Sequence, residues 1–185
     1  SITNEGITIS PHYSYNRKSL VNPETLFFPK EWNIINEIKC DKTTDLNEEI
    51  KRLYENEIKN IIISNYEDQL IDNSFLSQGN IYFKSERPIK YNSEIKLLIE
   101  PNLDSDEPID LNKFNQENFR LNLSSEFFKN SGANIVQEIA FTLSVAIDYV
   151  NKFGKALFSK ISFELIQGNN YFFEIAKIQA LRILW

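Results

Sequence analysis

The chain has 185 residues, enough for one domain with a substantial core, and its 42% hydrophobic, 13% aromatic and 25% charged residues are those of a soluble globular protein. A net charge of −6 excludes the basic face that nucleic acid needs to displace its counterions, and no apolar run approaches the ~20 residues that span a bilayer. With Cys40 as the single cysteine there is no intrachain disulfide and no thiolate metal cluster, and the compartment expected is the cytoplasm.

Residues 1–31 are rich in turn formers (Pro11, Asn16, Asn22, Pro23, Pro29) and read as an extended arm. Trp32 to Cys40 follows as a strand. Asp45 then offers an N-cap with Glu48 three residues on, and Leu46, Ile50 and Leu53 recur at helical spacing, so a helix is expected from Leu46 to about Glu57. Asn60 to Ser64 is a short buried strand. Together these make a β-α-β unit, which implies a parallel pair. Ile81-Tyr82-Phe83 and Ile95 to Ile99 are strand-like, Pro101 to Glu117 reads as an acidic loop with a short helix, and Phe119 to Leu123 alternates as a strand.

The last third is more regular. Gly132 to about Asn151 reads as an amphipathic helix with Val136, Ile139, Ala140, Leu143, Ile147 and Val150 on its apolar face, and Gly154 can end the turn beyond it. Ile161 to Ile166 is a strand, and Asn169 or Asn170 caps a last helix running to Trp185. That helix stops on an apolar run without a cap, and the sequence contains no Met, so the chain reads as a piece of a longer polypeptide. Repeated strand–helix alternation predicts an α/β fold of mainly parallel strands with outer helices.

The residues alone show little chemistry. His12, the sole histidine, lies in the arm beside Pro11 and Tyr13 and reads as a surface or packing residue; no clustered metal ligands accompany it. Gly132-Ala133 at a helix start could receive an anion, or could serve a close helix–strand approach. Asp104, Asp106, Glu107 and Asp110 lack the spacing of a calcium loop and read as a solvated stretch. Glu174 and Lys177, one turn apart, read as a surface ion pair.

Three segments resemble methylmalonyl-CoA mutases. The run from Glu174 to Trp185, Glu-Ile-Ala-Lys-Ile-Gln-Ala-Leu-Arg-Ile-Leu-Trp, is similar to a barrel helix of that family reading Glu-[Ile/Val]-Ala-Lys-x-Arg-Ala-x-Arg-x-Leu-Trp, with Gln179 in place of its first arginine. Gly132-Ala133 followed by Glu138-Ile139-Ala140-Phe141-Thr142-Leu143 and Asp148-Tyr149 resembles another family helix, and Glu5-Gly6-Ile7-Thr8-Ile9-Ser10-Pro11 with Tyr13 resembles the family's N-terminal arm.

The resemblance implies a partial TIM-type (β/α)8 barrel over residues 32–185, of the acyl-CoA-binding type, since a full barrel takes about 250 residues. The family's cobalamin-binding domain is expected to be absent from this chain. It also implies adenosylcobalamin-dependent isomerisation of methylmalonyl-CoA to succinyl-CoA by the family holoenzyme. Three family positions depart from the pattern. Where active members carry Gly-Tyr-His, this chain reads Ser125-Glu126-Phe127, so Phe127 replaces a histidine that hydrogen-bonds the substrate thioester. Where they carry Trp-Thr-Ile-Arg-Gln-Tyr, it reads Trp32-Asn33-Ile34-Ile35-Asn36-Glu37, so Ile35 replaces an arginine and Glu37 a tyrosine.

A family Arg-x-Ser that contacts substrate survives in part as Lys160 and Ser162, and lysine keeps the charge without the bidentate fork. These replacements fit the degenerate, non-catalytic small (beta) subunit of heterodimeric members. Such a chain would bind no cobalamin and no metal of its own and would partner a catalytic large subunit. Two alternatives are a divergent acyl-CoA mutase or isomerase that still binds substrate, and an unrelated α/β domain. Open barrel edges and the apolar last helix (Phe172, Phe173, Ala176, Ala180, Ile183, Leu184) further imply a homo-oligomer.

Overall fold

The computed structural model describes residues 3, 6–8, 32–66, 71–85, 96–103, 109–114 and 119–185. Most of the expected arm, with His12, lies outside them, as do Asp104, Asp106 and Glu107. Six strands occur among the described residues: β1 (Ile35–Lys39), β2 (Asn60–Ser64), β3 (Asn80–Ser85), β4 (Lys96–Ile99), β5 (Phe119–Ser124) and β6 (Ile161–Glu164). They form one sheet in sequential order, β1-β2-β3-β4-β5-β6, and the pairs from β1/β2 to β4/β5 run parallel. Parallel neighbours in chain order, joined by crossovers, make this an α/β, partial barrel-like fold. That is the fold class the strand–helix alternation implies.

The helices are α1 (Leu46–Glu55), α2 (Asn73–Leu76), α3 (Glu126–Asn130), α4 (Ile135–Phe153) and α5 (Tyr171–Leu184), with 3₁₀ turns at Leu111–Lys113 and Lys155–Lys160. Two compact units divide the chain, one of residues 31–123 and 150–163, the other of 1–30, 124–149 and 164–185.

In the first unit, the register places Ile61, Ile63, Ile81, Phe83, Leu97, Ile99 and Leu121 on one face of the sheet, and all of them are buried. α1 adds Leu46, Ile50 and Leu53, the stripe that its spacing predicts. Its N-cap is also as expected, with Glu48 N–H donating to the Asp45 carboxylate at 3.1 Å. The opposite face carries Glu37, Ile62, Tyr82, Lys84, Lys96, Leu98 and Arg120. It is held by polar contacts: Lys84 pairs with Glu100 at 2.7 Å, and Asn80 bridges Asn60 and Lys96. β1 is shorter than the Trp32–Cys40 strand expected, and Trp32 is 82% exposed.

In the second unit, Gly132 has a different role from either expected. At φ +90°, with open space where a Cβ would stand, it takes the left-handed conformation that closes α3, while Gly132 N–H donates to the Lys129 carbonyl and Ala133 N–H to that of Phe128. α4 starts later, at a reciprocal cap in which Asn134 and Gln137 each accept the other's backbone N–H at 3.0 Å.

The buried side of α4 also departs from the apolar stripe. Glu138, Ile139, Thr142, Ala146, Tyr149 and Val150 are buried, whereas Val136, Ala140 and Ile147 are exposed. α5 begins at the expected cap, Asn170, which accepts from Phe173 N–H. Its buried residues are Glu174, Lys177 and Leu181, so the expected surface ion pair is an interior one.

Candidate functional site

A cleft of about 310 Å³ opens in the first unit between β3, β4, β5 and the 3₁₀ turn that leads into β6. Lys96, Arg120 and Lys160 line it together with Tyr82, Leu97, Phe119 and Ser159. Lys96 opens β4, Phe119 and Arg120 open β5, and Lys160 ends the turn before β6, so the cleft lies at the entry ends of these strands. Each lysine is placed over a ring, Lys160 at 4.4 Å from the Phe119 centroid and Lys96 at 5.5 Å from that of Tyr82. Among the described residues, three cations and no carboxylate line the cleft, a composition that favours an anion. Of these residues, Lys160 alone is legible in the sequence. The other members come from strands distant in sequence and converge only through the parallel register.

The remaining positions singled out from the sequence do not join Lys160. Ser162 lies on β6, and its hydroxyl donates to Asn122 Oδ1 at 3.1 Å. Glu37 is exposed on β1 and lines a separate cleft of about 490 Å³ with α1. Within that cleft Glu49 is committed to Arg52 at 2.7 Å and Asp45 to its helix cap. Phe127 belongs to the second unit, sits on α3 and is 38% exposed, its ring set edge-on to Phe128 at 5.5 Å.

The β1–α1 loop holds the most perturbed carboxyl described here. Asp41 accepts from the Thr43 and Thr44 hydroxyls, at 2.7 and 2.8 Å, and from Thr43 N–H at 2.8 Å. Those bonds hold its pKa down to about 2. They close a local turn. Burial, then the Asp41 charge, pushes the Cys40 thiol up, which disfavours its thiolate form.

The second unit encloses charge. Lys177 Nζ donates to Glu138 Oε1 and Oε2 at 3.2 and 3.3 Å and to the Ile166 carbonyl at 2.6 Å, and it pairs with Glu174 Oε2 at 2.6 Å. Ser125 donates its hydroxyl to Glu138 Oε1 at 2.6 Å and accepts from Ile166 N–H at 3.0 Å.

Residues 109–185 match a family model described as methylmalonyl-CoA mutase. Over 79 residues, 40% of this chain, the sequence is 37% identical to a methylmalonyl-CoA mutase of Rhizobium meliloti (strain 1021) and 34% identical to one of Cereibacter sphaeroides. The matched stretch spans about a tenth of the length of those relatives, 10% and 11%. It contains β5, α3, α4, β6 and α5, and with them Phe127, Lys160, Ser162 and the buried charges. No imidazole occurs among the described residues, and no group of three His, Cys, Asp or Glu side chains gathers there. No helix among them is long and apolar enough to cross a membrane.

Proposed function

We propose that this chain is a mutase-type partial barrel of the small, non-catalytic kind, which supports isomerisation of methylmalonyl-CoA to succinyl-CoA by a catalytic partner subunit. The observation that carries this reading is the chemistry at Phe127, where the resemblance places a substrate-binding histidine. A phenyl ring offers no proton to a thioester oxygen, so the electrostatic stabilisation such a donor supplies is missing. Glu37, an exposed carboxylate on β1, adds repulsion toward an acidic acyl-CoA. Radical chemistry in that reaction comes from adenosylcobalamin, which on this reading the partner holds.

A second reading, a divergent acyl-CoA mutase or isomerase, draws on one observation. The cleft of Lys96, Arg120 and Lys160 retains the charge to take the phosphates of a coenzyme A thioester. On the first reading the same cleft is a remnant that binds without turnover. An assay of the full-length chain alone separates the two, with methylmalonyl-CoA as substrate and adenosylcobalamin added. The first reading expects coenzyme A thioester binding and no succinyl-CoA. Succinyl-CoA formed at a rate proportional to chain concentration would replace it with the second.

A further inference from the structure

The buried polar groups of the second unit form one connected cluster, and four chain segments contribute to it. Ser125 follows β5 directly, Glu138 lies in the first turn of α4, Ile166 is two residues beyond β6, and Glu174 and Lys177 lie on α5. Ser125 and Glu138 are 0% exposed and Lys177 2%. All three ammonium protons of Lys177 are directed, to Glu138, to Glu174 and to the Ile166 carbonyl. Ser125 works in both directions, giving its proton to Glu138 and receiving one from Ile166 N–H, while its own N–H donates to the Glu164 carbonyl at 2.8 Å. The exits of two neighbouring strands are thus tied together through one ammonium and one hydroxyl.

Apolar side chains of the same volume would fill this space without the several kcal/mol that desolvating each ion costs. What they would lack is direction. An ammonium with three fixed acceptors and a hydroxyl with a fixed donor and acceptor specify where each loop backbone stands. Gly168 completes the arrangement, because a Cβ there would come within 2.7 Å of Glu174 Oε1, an oxygen that has no hydrogen-bond partner in the structure. A side chain at 168 would press on the carboxylate that Lys177 holds.

We propose that Lys177, Glu138 and Ser125 form a positioning lock that fixes the β5 and β6 exit loops to each other, so that the two loops open and close together. The ends of strands in this direction are where (β/α) barrels carry their ligand contacts. On this account Lys177 and Glu138 are positioning residues that touch no ligand themselves. Their place in the helix segments that resemble the mutase family reflects loop geometry, and it is independent of whether this chain catalyses anything.

Hydrogen exchange read by mass spectrometry on the full-length chain tests the lock, using Ser125→Ala, Gly168→Ala and Lys177→Met beside Leu53→Ala, a core control in the other unit. Ser125→Ala should speed exchange about tenfold in both segments 124–131 and 164–170, with β2 and β3 unchanged. Gly168→Ala should do the same in both segments, although its only tight contact is with Glu174 Oε1 at 2.7 Å and it reaches segment 124–131 solely as an ordinary 3.6 Å contact with the Lys129 ammonium. Lys177→Met should give the largest paired effect; if it does not fold, the first two variants decide. Exchange that rises in only one of the two segments, or uniformly through both units as in Leu53→Ala, would overturn the lock and leave ordinary packing in its place.

Discussion

Lys160 holds its ammonium 4.4 Å from the centre of the Phe119 ring, and the two residues reach that contact from β5 and from the turn before β6, forty-one positions apart in sequence. The contact fixes one cation of the Lys96, Arg120 and Lys160 cleft. Calorimetric titration with coenzyme A should therefore detect saturable binding that weakens with added salt. Lys160→Ala and Arg120→Ala should each weaken it by about tenfold, the loss of one charge-assisted contact. Equal affinity in all three proteins would show that the cleft is not where the phosphates go.

The buried ions make a different prediction. Removing the ammonium in Lys177→Met leaves Glu138 and Glu174 enclosed without a countercharge, a change that typically costs 3–5 kcal/mol. Urea unfolding should place the variant lower by about that amount. Arg52→Ala removes an exposed helix pair with Glu49 and should cost well under about 1 kcal/mol. Similar losses in the two variants would contradict the interior placement of Lys177.

Asp41 ties stability to acid. Its carboxyl sits at about 2 against an ordinary value of 3.8, because two threonine hydroxyls and the Thr43 amide bond to the charged form. The folded pKa is depressed, so the stabilisation is fully present above pH 3.8 and is lost as the pH falls through 2. Carbon-detected magnetic resonance of the Asp41 carboxyl should show a midpoint near 2, moving up toward the ordinary value in the Thr43→Ala, Thr44→Ala double variant. A wild-type midpoint already at the ordinary value would refute the turn.

The exposed apolar side chains of α5 are the basis for expecting self-association. Phe172 is 78% exposed, and Ile175, Ile178, Ile183 and Leu184 are exposed with it. Burying apolar area is worth about 25 cal/mol per Å², enough for several such side chains to hold a dimer. Light scattering at micromolar concentration should report a dimer or larger species, reduced toward monomer in Phe172→Ser with Leu184→Ser. A wild-type monomer of 21.7 kDa would remove this expectation.

The contrast within α5 shows which parts of the fold are legible locally. Its extent and its Asn170 cap follow from helical spacing and cap chemistry, both confined to a few neighbouring residues. Its inward face does not follow, since helical spacing alone reads Glu174 and Lys177 as a surface ion pair. The reverse holds because Lys177 finds Glu138, thirty-nine positions away, and a buried ammonium with three acceptors satisfies itself as no isolated one could. In α4 the helix and the inward Ile139 and Val150 follow from the spacing, whereas Glu138 and Thr142 share that buried side, Glu138 through partners outside its own helix. α2, one turn long, falls below what periodicity can detect. Of the site, Lys160 was reached through resemblance, while Lys96 and Arg120 become neighbours only when β4 and β5 pair in register.

The companion role is tested most directly by co-expressing the full-length chain with the catalytic subunit of a methylmalonyl-CoA mutase, then purifying through a tag on this chain alone. The expected result is a stoichiometric complex whose mutase activity disappears when the catalytic subunit is inactivated and is retained in Phe127→Ala and Glu37→Ala. Separate elution of the two chains, together with succinyl-CoA formation by this chain by itself, would contradict it.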